Sequence, residues 1–185
     1  MIRFKIFGVK IEISFLLICL LNLILVSYGG RVLFFCVFSA LFHEFCHVAC
    51  LLFFGVKPLS LKFQINGIVL KDNAKINDIK KTTVLVAGCV GNFVLFLLFY
   101  LAGLDFAMTA NLALFIFNAL PHEKLDGGQL LNIALQKIDL ATSAKIGRII
   151  SNFVSLILIA LSIIFIFKFK NYTLLIFIIM LNFSK

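Results

Sequence analysis

The stretch LFHEFCHVAC, residues 41 to 50, carries the residues whose types and spacing most directly suggest chemistry. His43 and His47 are four residues apart, so on a helix they share one face and can bind one zinc ion. Glu44 lies beside them, and at a zinc site with three protein ligands the bound water has a pKa of about 7, within reach of a carboxylate base. The pattern predicts metal-assisted hydrolysis, with interhelical hydrogen bonding by the histidines as the alternative.

A second polar cluster, FNALPHEKLDGGQLL at residues 117 to 131, offers a third ligand. Pro121 and the two glycines after Asp126 disfavour an uninterrupted helix, and irregular backbone at membrane depth occurs where it lines a cavity. We therefore expect this segment to be partly unwound around the site, the alternative being a solvated turn on the cytoplasmic side. On residue types alone the third ligand remains open among Asp126, His122 and Cys46, although Cys46 is expected to be a packed neighbour.

The composition predicts a polytopic membrane protein. Of 185 residues 63% are hydrophobic and 23 are Phe, the mean hydropathy is +1.15, and the apolar residues come in long runs. Runs near the roughly 20 residues that a spanning helix needs lie at 13–28, 32–54, 82–104, 106–121 and 149–167, with a shorter one at 172–183. The expected fold is all-α, with about six transmembrane helices in a single domain over residues 1–185.

The basic residues predict an orientation in the lipid bilayer. With six spans, 14 of the 17 Lys and Arg residues fall on the side that holds the N-terminus, which the positive-inside rule assigns to the cytoplasm. They do not cluster on one helix, so the net charge of +9 does not indicate nucleic acid. The five cysteines lie in apolar segments without a CxxC pair, which argues against disulfides and thiolate zinc sites.

Between the second and third runs, the segment LSLKFQINGIVLK at residues 59 to 71 predicts a small β-hairpin. Apolar residues alternate with polar ones before Asn66-Gly67, and a second β-branched run follows. The hairpin is either a connecting ribbon at the membrane surface or a strand edge that captures an extended peptide.

These motifs resemble the site-2 protease family of intramembrane zinc metalloproteases. The HExxH on the second run and NALPHEKLDGG at residues 118–128 occur in the family's order, and the chain is most similar to the stage IV sporulation protein FB group. The resemblance implies that His43, His47 and Asp126 bind zinc and that Glu44 is the general base and proton shuttle.

Further site residues follow from the resemblance, as expected substrate-binding positions. Asn118 and Pro121 match the family's Asn and Pro ahead of Leu-Asp-Gly. In AGCVGN, residues 87–92, Gly88 and Asn92 match a weaker motif in which Cys89 replaces the family's proline. Asn92 is expected to orient substrate backbone, or else to make an interhelical hydrogen bond of about 1 kcal/mol.

The resemblance also implies an activity and a setting. The expected reaction is cleavage, near the cytoplasmic side of a bacterial cytoplasmic membrane, of a membrane-tethered regulatory precursor such as a pro-sigma factor, under the control of regulatory membrane proteins. A nucleotide-sensing CBS domain is not expected, and residues 129–148 are expected to form an amphipathic surface helix pair. The competing function is a non-catalytic metal-binding scaffold or transporter, although no repeated halves typical of transporters are seen.

Overall fold

The computed structural model describes residues 2–6, 9–13, 15–56, 60–64, 67–71, 76–136, 138, 140–170 and 172–183. The chain divides into two compact units, Met1–Ala119 and Leu120–Lys185. The first holds the predicted HExxH motif and the second holds the predicted Leu-Asp-Gly segment.

Three helices form the apolar part of the first unit: α1 (Phe15–Phe53), α2 (Asp78–Leu101) and α3 (Asp105–Ala119). Within α1, Gly29 has φ 82° and ψ 171°, which divides the helix into two segments. This left-handed φ is open to glycine and strained for other residues. The break falls between the predicted first and second runs, so the HExxH motif lies in the second segment of α1.

The first unit also contains a four-stranded sheet in the order β1-β2-β3-β4. Its strands are β1 (Ile2–Ile6), β2 (Val9–Ile13), β3 (Ser60–Gln64) and β4 (Gly67–Lys71). Strands β3 and β4 pair antiparallel within the stretch where the sequence predicts a hairpin, and β2 pairs parallel with β3. The sequence analysis did not foresee β1 and β2, which bring the N-terminal residues into the same sheet as β4 and leave β4 at an edge.

The predicted count of six spans is not supported in the described part of the chain. Three helical segments are long and apolar enough to cross a membrane: Leu17–Phe53, Asp78–Leu101 and Thr142–Lys168. The predicted first two runs are joined in α1, and the run at 106–121 gives only the 15 residues of α3. The run at 172–183 gives a helix of 11 residues, or about 17 Å at 1.5 Å per residue, well short of a bilayer.

The second unit contains α4 (Asp126–Leu135), α5 (Leu140–Phe169) and α6 (Thr173–Phe183). The residues before α4, from position 120 to 125, are not helical, so the predicted interruption at Pro121 is confirmed. The prediction of a pair of short helices at 129–148 agrees with the structure for the first helix only. Its first part lies in α4, but its second part is the start of α5, which continues through the predicted fifth span.

A buried polar stripe on α1 organises the helices of the first unit. Ser39, His43 and His47 follow one another at four-residue intervals, and all three are buried. Beside Ser39, the Nδ2 of Asn111 on α3 donates hydrogen bonds to Ser39 Oγ (2.9 Å) and to Ala107 O in its own helix (2.8 Å). Large apolar residues such as Phe45, which is 62% exposed, lie on the outside instead. That distribution is inverted relative to a soluble protein and suits a lipid environment.

We expect Ser39→Ala to lower the free energy of unfolding by about 0.6 kcal/mol, the average for interhelical hydrogen bonds in membranes. The loss is small because Asn111 keeps its bond to Ala107 O. Unfolding of the detergent-solubilised protein by increasing denaturing detergent, in a double-mutant cycle with Asn111→Ala, measures the coupling. Strict additivity of the two losses would show that the contact contributes nothing.

Candidate metal centre

The two histidines of the HExxH motif face each other inside the first unit. Their rings lie at 88° with centroids 4.6 Å apart, and the two Nε2 atoms are separated by 3.0 Å. His43 is 4% exposed and His47 is 6% exposed. Two imidazole nitrogens bound tetrahedrally to one zinc at about 2.0–2.1 Å would lie roughly 3.3 Å apart. The observed spacing is therefore close to that of a ligand pair.

His47 is oriented by the backbone of α2. Its Nδ1 lies 2.7 Å from the carbonyl oxygen of Val84, which can only accept, so Nδ1 carries the hydrogen and donates it. In a neutral ring the Nε2 lone pair is then available on the side of His43. An imidazole held by a carbonyl in this way is the usual outer support of a metal-binding histidine.

His43 is supported by a side chain of α2. The Nδ2 of Asn92 lies 3.1 Å from His43 Nδ1, and Asn92 is completely buried. The predicted residue Asn92 therefore contacts a candidate metal ligand, and its predicted contact with substrate remains a prediction.

The rings occupy space that exists because residue 88 has no side chain. A Cβ added at Gly88 would lie 2.5 Å from both Cε1 and Nε2 of His47 and 2.7 Å from Cε1 of His43. One turn further along α2, a Cβ at Gly91 would collide with Cys46 Sγ instead. The thiol of Cys46 thus packs against α2, as expected for a packed neighbour.

Glu44 directly follows His43 on α1 and is half-buried. Successive residues of a helix are separated by about 100° around its axis, so Glu44 points beside the histidine pair and not along its line. Glu44 therefore lies on the face of α1 adjacent to the stripe through Ser39, His43 and His47 and is not part of that stripe.

In the second unit, Asp126 is the first residue of α4 and is buried. The turn before it is closed by a hydrogen bond from Leu125 N–H to His122 O (2.9 Å). Gly128 packs so tightly on this turn that a Cβ there would overlap the carbonyl group of His122. Glycine is therefore required for steric reasons at the second glycine position of the Leu-Asp-Gly-Gly segment, because any side chain there would prevent the turn from packing onto α4.

His122, the alternative third ligand, is engaged within the second unit. It is 2% exposed, its Nδ1 accepts from Lys124 N–H at 3.3 Å, and its side chain also hydrogen-bonds that of Asn182. Burial lowers the pKa of His122, although the nearby Glu123 carboxylate raises it. A neutral, doubly hydrogen-bonded imidazole is accounted for without a metal, which disfavours His122 as a ligand.

The remaining predicted residues lie around the end of α3. Asn118 is half-buried and donates from Nδ2 to Leu114 O of its own helix (3.1 Å). Pro121 belongs to the non-helical segment before α4. The roles predicted for Asn118 and Pro121 in substrate binding, and for Asp126 as third ligand, stay predictions.

Comparison with known proteins points to a protease fold. Residues 101–162 match the profile of peptidase family M50. That segment contains Asn118, Pro121 and Asp126 but not the HExxH motif. The chain is also similar to the solved structure of a site-2 protease from Methanocaldococcus jannaschii, with a TM-score of 0.76 and 22% identity over 99% of this chain and 92% of that chain. No curated protein sequence matches the chain.

These findings support the fold that the resemblance implies. At 22% identity the structural likeness is one of fold, and the M50 profile matches residues 101–162 only. The narrower assignment to the stage IV sporulation protein FB group is not confirmed and remains a prediction.

We expect Gly88→Ala to weaken zinc binding by roughly 10- to 100-fold, the range seen when the surroundings of a metal ligand are disturbed. The added methyl group would displace both imidazoles. The matched control is Gly91→Ala, whose methyl group meets Cys46 and not the histidines. Zinc content per chain after dialysis against a weak chelator measures the effect, and equal zinc retention by both variants would contradict it.

Proposed function

We propose that this protein is an intramembrane zinc metalloprotease. The observation that carries the proposal is the buried pair of His43 and His47, with facing Nε2 atoms and with His47 held from behind by the Val84 carbonyl. The M50 segment and the site-2 protease fold support the same class of enzyme.

His43, His47 and Asp126 are the proposed ligands. All three are buried, and each carries a side-chain atom of a kind that binds zinc, an imidazole nitrogen or a carboxylate oxygen. Two imidazoles and one carboxylate form a typical catalytic zinc set, because three protein ligands leave a position for water. The N-terminus of α4 favours the ionised form of Asp126, which is the form that binds a cation.

Glu44 is the proposed general base. When bound, zinc lowers the pKa of its water and polarises the scissile carbonyl. The Glu44 carboxylate takes the proton from the attacking water and delivers it to the departing amine. Asn118 and Pro121 are proposed to contact the substrate, which must unwind locally because a transmembrane helix hides its carbonyls in internal hydrogen bonds.

The substrate class follows from the resemblance and from the charges. We assign a membrane-tethered regulatory precursor, such as a pro-sigma factor, cut near the cytoplasmic side. Under the predicted six-span topology, the distribution of Lys and Arg favours a cytoplasmic N-terminus. Control by other membrane proteins, as for sporulation proteases, belongs to the same proposal.

The edge of the sheet is the proposed docking place for the unwound substrate. Strand β4 lies at the end of the order β1-β2-β3-β4, so one of its sides has no partner strand in the described sheet. An extended peptide can pair with such an edge through backbone hydrogen bonds, which offsets the bonds lost on unwinding.

The decisive test compares Glu44→Gln with Asp126→Ala. We expect Glu44→Gln to keep about one zinc per chain but to lose cleavage of a membrane-tethered substrate by more than 100-fold, the lower end of the usual contribution of general acid–base catalysis. Asp126→Ala is expected to lose both zinc and cleavage. Zinc is measured on the purified chain and cleavage in proteoliposomes. Full function of Glu44→Gln would instead favour a non-catalytic metal-binding scaffold or transporter.

Docking at the edge is tested by Ile68→Pro in β4. Proline cannot donate a backbone hydrogen bond, so cleavage should fall by about 10-fold or more while zinc content stays at the wild-type value. A soluble peptide that needs no unwinding serves as the control substrate. Parallel loss of zinc and cleavage would mean that the change disrupts the fold and would count against docking at β4.

A further inference from the structure

Asn92 makes an unusual contact for a residue expected to meet substrate. It is 0% exposed, its Nδ2 lies 3.1 Å from His43 Nδ1, and its Oδ1 has no hydrogen-bond partner within the described part of the chain. A buried acceptor without a partner costs free energy, so its presence calls for a physical reason.

The hydrogen bonds around the pair fix where each hydrogen lies. The Asn92 amide nitrogen donates, so His43 Nδ1 accepts and the hydrogen of the neutral ring is on Nε2. That Nε2–H points to His47 Nε2 at 3.0 Å, while His47 donates from Nδ1 to Val84 O. The result is a continuous series of hydrogen bonds that begins at Asn92 on α2, passes through both imidazoles and ends at the Val84 carbonyl, also on α2.

This arrangement is the wrong tautomer for binding a metal through His43. An ion bound at Nε2 needs the lone pair there, which moves the hydrogen to Nδ1 and demands an acceptor at the position of the Asn92 amide nitrogen. A rotation of the amide by 180° supplies that acceptor, because it exchanges Oδ1 and Nδ2. In the present orientation the Oδ1 atom, which faces away from His43, has no hydrogen-bond partner within the described part of the chain, so the rotation breaks only the hydrogen bond to His43.

We infer that Asn92 is a positioning residue that selects the tautomer of His43: its amide nitrogen faces the ring in the present structure, and its amide oxygen faces the ring when metal is bound. The inference rests on the proposed function, since it assigns His43 as a ligand. It also explains an asparagine here, since asparagine supplies both a donor and an acceptor while aspartate can only accept.

Asn111 provides a matched control. It is also completely buried, its Oδ1 has no hydrogen-bond partner among the described residues, and it contacts the same stripe at Ser39, one turn before His43. Its partner is a hydroxyl, which can turn to donate or accept. Asn111 therefore shares the burial and the contact with α1 of Asn92, but its hydrogen-bond partner on α1 is Ser39 and not a candidate ligand.

The test compares zinc affinities of Asn92→Leu, Asn92→Asp and Asn111→Leu, measured on the purified full chain by competition with a chromophoric chelator. We expect Asn92→Leu to raise the dissociation constant by 10- to 100-fold, the usual cost of losing an outer hydrogen bond. Asn92→Asp should rescue it to within about 3-fold of wild type, because the carboxylate accepts from Nδ1–H. Asn111→Leu should match wild type. Equal constants for Asn92→Leu and wild type would overturn the inference.

A second readout does not depend on affinity. Nitrogen-15 NMR of labelled histidine in the metal-free chain distinguishes Nε2–H from Nδ1–H. We expect the His43 hydrogen on Nε2 in wild type and on Nδ1 in Asn92→Asp, and on Nδ1 in zinc-loaded wild type. The same tautomer in all three samples would contradict the inference, even if Asn92→Leu fails to fold. If wild type binds no zinc and cleaves nothing, the proposed function fails as well, which separates the two outcomes.

Discussion

The close approach of α2 to the histidine pair is the contact on which the candidate site depends. The rings of His43 and His47 fill the space over Gly88, and Val84, about one helical turn before Gly88 on α2, supplies the acceptor for His47. Small residues are the usual means by which transmembrane helices come close enough for backbone groups to be reached. A larger residue at position 88 would separate the helices and remove both the space and the hydrogen bond.

Much of this site can be read from the sequence because its signals are local. The spacing of His43 and His47 predicts a shared helix face, and Pro121 predicts the interruption before α4. The partners on α2 could not be found in this way. Val84 is 37 residues from His47 and Asn92 is 49 residues from His43. Every residue has a backbone carbonyl, so the sequence cannot indicate which carbonyl accepts from His47. Only the tertiary packing of α1 against α2 selects them.

The span count failed for a related reason. Hydropathy measures the length of apolar runs, but the ends of helices depend on backbone conformation. The stretch Tyr28-Gly29-Gly30-Arg31 interrupts the apolar run, but helix α1 continues across it with a kink at Gly29, and the run at 106–121 is cut short where α3 ends at Ala119. Asp126 shows the opposite case. Its motif correctly predicted non-helical backbone before α4. The overlap that a side chain at Gly128 would make with His122 gives the steric reason for glycine at that position.

The sequence left two alternative roles for the histidines, metal binding and interhelical hydrogen bonding. The two roles are compatible at this pair. Imidazoles at membrane depth are stable only with polar partners, and Asn92 and the Val84 carbonyl provide these partners. The 3.0 Å contact between the two Nε2 atoms then holds both rings at nearly the separation that a shared ion requires. Binding would exchange one hydrogen bond for two bonds to the metal with little movement of either ring. The same contacts that stabilise the helices therefore prepare the site, so a purely structural role for the pair and a catalytic role predict nearly the same ring geometry. The two roles differ in the position of a hydrogen and in the orientation of the Asn92 amide.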